Sequence, residues 1–247
     1  MSPIYTPGKV VLAKNYVEGD RYFSNVSLLL HGNADGSGNI LDSSPSPKTV
    51  SKFGNAASAT PPSYPNSNSS FGNAIAFDGN GDYLASSSNA AFGMGTSDFT
   101  LEAWIRPDLI AGADRGVIDF RNTLFGTLDG GAAFIDASTS KLSFFDGVTV
   151  YGKTGTTISL NVWHHVAWVR SGNILTAYLN GVQDFTASFS VNLGASRPLG
   201  IGGSNTDTGK GASPFSGYID DLRITKGVAR YTANFTPPTA PFADAQY

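Results

Sequence analysis

Over residues 98–106 the chain alternates in period two, with Phe99, Leu101, Ala103 and Ile105 set against Thr100, Glu102, Trp104 and Arg106. Nine residues of that pattern place every aliphatic or phenyl side chain on one face of an extended strand, and leave no helical stripe. Pro107 closes the run, because proline cannot donate to a central ladder. Further strands are expected at 26–30, 49–53, 116–120, 132–135, 141–145, 162–170, 174–179 and 218–225. Asn180-Gly181 and Asp146-Gly147 are two-residue hairpin signals that tolerate positive φ, and Ser171-Gly172-Asn173 is a short hairpin loop. Roughly a dozen strands separated by turn residues predict an all-β, two-sheet antiparallel sandwich.

The acidic residues agree. Only Glu18 and Glu102 are glutamates, so seventeen of the nineteen acids are aspartates. Aspartate favours turns and caps, whereas glutamate and lysine build solvated helix faces. Sixteen basic against nineteen acidic side chains leave a net charge of −3 and no basic face. Nucleic acid, which needs clustered cations, is therefore not an expected partner. No run approaches the ~20 apolar residues of a membrane helix, and the opening residues carry no apolar segment of a secretory signal. With no cysteine there is neither a disulfide nor a thiolate site.

The organisation reads as an N-terminal attachment arm at 1–25, a sandwich at 26–236 and a C-terminal tail at 237–247. The arm carries Tyr5, Tyr16, Tyr22 and Phe23 without a period, and is expected to dock on another subunit. Residues 42–70 form a long Ser/Pro/Asn-rich loop, of the kind that often carries function. Tyr64, Asn66 and Asn68 are its candidate ligand-facing residues.

Two carboxylates stand out. Asp78, Asn80 and Asp82 place oxygens at alternate positions of a Gly-rich turn, which either wraps a hard cation or simply joins two strands. In Gly217-Tyr218-Ile219-Asp220-Asp221-Leu222-Arg223-Ile224, strand alternation puts Asp220 on one face with Tyr218, Leu222 and Ile224. If that face is the core, Asp220 needs a cation or several donors. Asp221 and Arg223 are then expected to pair on the surface. His164 and His165 point to opposite faces and cannot chelate one ion; His31 stands alone. Trp104, Trp163 and Trp168 read as core aromatics before sugar platforms. No paired glutamates and no G-x-S-x-G elbow occur, so no enzyme is expected.

Four stretches together resemble the laminin-G-like, concanavalin A-like jelly-roll domains: FGNAIAFDGNGDYLASSS, DFTLEAWIRP, NVWHHVAWVRSGNILTAYLNGV and FSGYIDDLRITKGVARY. The resemblance covers about residues 26–236. The runs at 27–32, 42–44 and 220–238 are similar to such modules in phage virion proteins, including tail fibres, tail-tip appendages and capsid decorations. The resemblance implies a jelly roll whose rim often holds calcium, which here would bring Asp78 and Asp220 together around Ca²⁺.

The expected function is a non-enzymatic virion accessory protein, for decoration or attachment, on the exposed surface of a phage particle. Other capsid or tail proteins are its expected partners, and a homo-oligomer, most simply a trimer, its expected assembly. The alternative is a receptor-binding module that recognises a host surface glycan.

Overall fold

The computed structural model describes residues 19–126, 128 and 130–246. Among the described residues fifteen strands follow one another: β1 (Val26–Leu30), β2 (Ser51–Phe53), β3 (Ala57–Ala59), β4 (Ala74–Asp78), β5 (Tyr83–Asn89), β6 (Phe99–Pro107), β7 (Arg115–Asp119), β8 (Ala132–Asp136), β9 (Lys141–Phe145), β10 (Val150–Gly152), β11 (His164–Ser171), β12 (Ile174–Leu179), β13 (Val182–Ser188), β14 (Arg197–Ile201) and β15 (Ser216–Lys226). The helical residues described are short 3₁₀ turns. An eight-stranded sheet runs β13-β12-β11-β6-β15-β4-β3 with β1 also on β15, and a seven-stranded sheet runs β10-β9-β8-β7-β14-β5-β2. All strand pairs are antiparallel, so the expected two-sheet sandwich is the fold.

The two sheets enclose one apolar core. Phe99, Leu101, Ala103 and Ile105 of β6 meet Leu142 and Phe144 of β9, Phe120, Trp168 and Phe189 there. Asn180 and Gly181 adopt the positive φ of the expected turn. A Cβ on Gly181 would lie 1.9 Å from Phe235 O, so this glycine also lets the later chain pass close by.

The outward side of β6 departs from a half-exposed strand: all nine of its residues are buried. Residues 19–25 and 229–246, together with the 63–71 segment, roof the eight-stranded sheet. Trp104 and Trp163 pack there with Phe71, Ala74 and Tyr218. Ala167, Val169 and Tyr178 pack under Ala229, Tyr231 and Phe235, and Phe242 lies on Val26 and Leu29. The tail at 237–247 is thus, up to residue 246, part of the sandwich. Of the attachment arm, residues 1–18 lie outside the described residues.

Asn66 and Asn68, the amides expected to face a ligand, donate instead to Pro238 O and Thr239 O, both at 2.9 Å. They tie the C-terminal segment to the 63–71 segment at the solvent-facing edge of the roof.

Candidate functional site

β15 changes face at Asp221. Its first residues pair with β4, its later ones with β1, and an extra residue between Asp220 and Arg223 shifts the register against β6. Asp221 has φ 48°, a β-bulge conformation. The bulge splits the expected face: Ile219, Leu222 and Ile224 point into the core, while Tyr218 joins the outer aromatic cluster and Asp220 lies opposite Trp104. Asp220 is therefore buried on the roofed outer side, not in the core.

The two proposed metal ligands do not meet. Asp78 lies opposite Ser216, four residues from Asp220, or roughly 13 Å at the rise of a strand. Asp78 is exposed; its Oδ1 accepts Asn80 N–H at 2.8 Å and its Oδ2 the Asn55 side-chain amide at 3.1 Å. The Asn55 amide and the Asn80 N–H hold its carboxyl below the ordinary range. Asp82 is the buried acid of that turn, taking the N–H groups of Asn55 and Asp78. Asp220 accepts Asp221 N–H at 2.7 Å, and its other oxygen has no partner among the described residues. Burial, then the neighbouring Asp221, pushes its carboxyl up to about 9. Among the described residues no group of three or more His, Asp or Glu side chains is placed to hold a metal.

The same roof covers an ionic network that strand periodicity could not reveal. Glu102 is fully buried. Burial works to raise its carboxyl, and the Arg223 guanidinium, His165 and Arg230 outweigh it and hold it at about 2. Arg223 Nε donates to Glu102 Oε1 at 2.9 Å, and Tyr231 Oη to Oε2 at 2.7 Å. Arg223 does not pair with Asp221 on the surface as expected: it is buried, and its second acid is Asp20 at 3.1 Å. Its guanidinium lies 3.6 Å from the Phe242 ring centroid. His31 is not alone, since Nδ1 stands 2.7 Å from Asp221 Oδ1. His164 contacts Ser159 O and the Asn180 amide, and burial lowers its pKa. Every charge here faces another charge of the protein, which marks a structural network.

An open groove lies on the other side of the sandwich, on the outer face of the seven-stranded sheet. The periods of β8 and β9 put Ala133, Ile135, Leu142 and Phe144 in the core. Ala132, Phe134 and Phe145 therefore face outward, with Asp119 of β7 beside Ala132. The groove encloses about 200 Å³, and Asp114, Asp119, Arg121, Phe125, Phe134 and Phe145 line it. Phe125 is 70% exposed, its ring 5.9 Å from that of Phe145. With Phe145 it gives the groove an exposed aromatic rim.

One end of the groove is polar and rigid. Arg121 donates Nε and Nη2 to the two oxygens of Asp119 at 2.9 and 2.6 Å, and Ser204 Oγ donates to Asp119 at 2.6 Å. Loops 121–126 and 204–213 are held in place around it. Asp207 N–H donates to Asn122 O, Gly116 N–H to Ser213 O, and Gly126 N–H to Gly147 O. A mostly apolar concavity with a few fixed polar groups suits a small ligand that has both kinds of surface. The alternation in AAFID and KLSFF carries a sequence signal for this site: phenylalanine at outward positions.

A family described as the concanavalin A-like lectin/glucanases superfamily matches residues 78–230. Among solved structures, domain 4 of AbnA, a GH43 extracellular arabinanase from Geobacillus stearothermophilus, solved with arabinotriose, is 19% identical with a TM-score of 0.56. The match covers 83% of this chain and 94% of that one. The binding domain of botulinum neurotoxin DC, in complex with SialylT, is 15% identical with a TM-score of 0.56, covering 84% of this chain and 49% of that one. The binding domain of botulinum neurotoxin serotype C1 is 14% identical with a TM-score of 0.57, covering 84% and 50%. The chain spans about half the length of those neurotoxin domains, and at these identities the likeness is one of fold. No curated protein matches the sequence.

Proposed function

The chain belongs to the concanavalin A-like lectin/glucanases superfamily, and we propose that it serves as a non-catalytic glycan-binding module displayed on a phage particle. The observation that carries this reading is the groove, with the exposed Phe125 ring beside a pre-formed Asp119–Arg121–Ser204 cluster. A sugar ring offers apolar C–H edges to an aromatic face and hydroxyls to fixed polar groups. Proteins of similar fold were solved with arabinotriose and with SialylT, which supports a carbohydrate as the ligand class. Hydrolysis would need one free acid and one free base. Asp119 is tied to Arg121 and Ser204, which favours binding without cleavage.

The phage setting rests on the likeness of the runs at 27–32 and 220–238 to virion modules, and the fold agrees with a mounted adhesin. Asp20 N–H donates to Ala245 O at 2.8 Å, so the two ends of the described chain lie side by side on the roof of the eight-stranded sheet. The groove is on the opposite face. A module mounted through the roof of its eight-stranded sheet would direct its groove outward. Assembly as a homotrimer belongs to the same reading. Adsorption of the purified protein to host cells tests it: wild type binds, and Phe125→Ala and Phe145→Ala lose binding. Equal adsorption by all three would reject the groove.

A further inference from the structure

The groove's charges restrict which glycans enter it. Among its described lining residues the ionic groups are two carboxylates, Asp114 and Asp119, and one guanidinium, Arg121. Arg121 is already spent: besides Asp119, it donates to Leu124 O and reaches Ser204 Oγ. Its Cζ lies 5.2 Å from the Phe145 ring centroid, which occupies the ring's cation-attracting face. Asp114 is half-buried and accepts Ala137 N–H at 2.8 Å through Oδ1, leaving Oδ2 as an acceptor for a ligand hydroxyl. The remaining wall is mostly apolar and includes Leu124, Ala132, Phe134 and Val150, with Ser213 at its edge.

A carboxylate entering this space would lose water and meet Asp114. It would find Arg121 neutralised by Asp119, and Arg115, the cation beside Asp114, outside the lining and donating to Pro214 O and Ala111 O. A neutral sugar meets no charge repulsion and loses less hydration than a carboxylate. Its hydroxyl can donate to Asp114, and an apolar substituent can displace water from the phenylalanine wall. We infer that the groove selects neutral glycans bearing an apolar edge, such as a deoxy, O-methyl or N-acyl group, and rejects uronic and sialic acids. This inference rests on the glycan-binding reading above and narrows its ligand class.

The test is an array of bacterial-surface oligosaccharides in which each backbone is printed in neutral and in carboxylated form, probed with the full chain. Neutral members should bind about tenfold or more tightly than their carboxylated partners at low salt, and the gap should narrow as salt screens Asp114. Asp114→Lys should move the preference toward the carboxylated members. Carboxylated glycans bound as well as neutral ones, or a preference unmoved by Asp114→Lys, would overturn the inference while leaving glycan binding in place. Binding to no member, or binding that Phe125→Ala leaves intact, would instead overturn the reading beneath it.

Discussion

Arg230 holds Asp20 through two parallel hydrogen bonds, Nη1 to Oδ1 at 3.0 Å and Nη2 to Oδ2 at 2.6 Å, across 210 positions of sequence. Arg223 adds a third at 3.1 Å and carries the chain of charge on to Glu102. Two carboxylates and two guanidiniums balance under the roof. The network thus joins the start of the described chain to β6, to β15 and to the C-terminal segment.

Removing one member should leave an uncompensated buried charge. Asp20→Ala is expected to destabilise the fold by about 3 kcal/mol, which for a domain of this size lowers the melting temperature by roughly 6–12 °C. Calorimetry of the full chain checks this. A shift under about 2 °C would mean that water replaces the carboxylate at no cost.

Acid should attack the same network. Glu102 is held at about 2 in the fold against an ordinary 4.5, so its contribution is fully present above the unfolded value. It is lost as pH falls from about 4.5 towards 2, because protonation then favours the unfolded chain. Glu102→Gln should abolish that part of the acid dependence while lowering stability at pH 7 by about 3–5 kcal/mol. Urea melts between pH 2 and 7 measure both effects.

Asp220→Asn should stabilise. The folded carboxyl, raised to about 9, keeps a proton that the unfolded chain releases above about 4, so stability falls as pH rises between those values. Asparagine keeps the acceptor for Asp221 N–H without the ionisation cost. The expected gain is about 1–3 kcal/mol at pH 8, shrinking to nothing near pH 3. A variant less stable than wild type at pH 8, in buffer with EDTA, would show that the carboxylate is needed as an anion.

In the groove, binding and stability should separate. Phe125→Ala removes an exposed ring and should leave stability within about 0.5 kcal/mol while abolishing adsorption to host cells. Arg121→Ala should cost about 1–3 kcal/mol, because it strips two donors from the buried Asp119. Thermal melts beside adsorption measurements distinguish the two.

Local pattern was enough for the long central strands, though not for β3, β10, β13 and β14. The period of two in 98–106, 132–136 and 141–145 states which side chains share a face, and Asn180-Gly181 states where the chain reverses, since both depend on neighbours in sequence. The motif runs carried the family, because they record turns and pairings that one architecture reuses. The bulge at Asp221 lay beyond that reach. One extra residue reverses every later side chain, and it falls where the partner on that edge of β15 changes from β4 to β1. The family resemblance implied that Asp78 and Asp220 converge, and the pairing of Asp78 with Ser216 leaves them four register positions apart in the sheet. The roof over β6, the Asp20–Arg230 pair and the groove between loops 121–126 and 204–213 join residues some 80 to 210 positions apart. Contacts of that range come from sheet order and packing, which no short window of sequence contains.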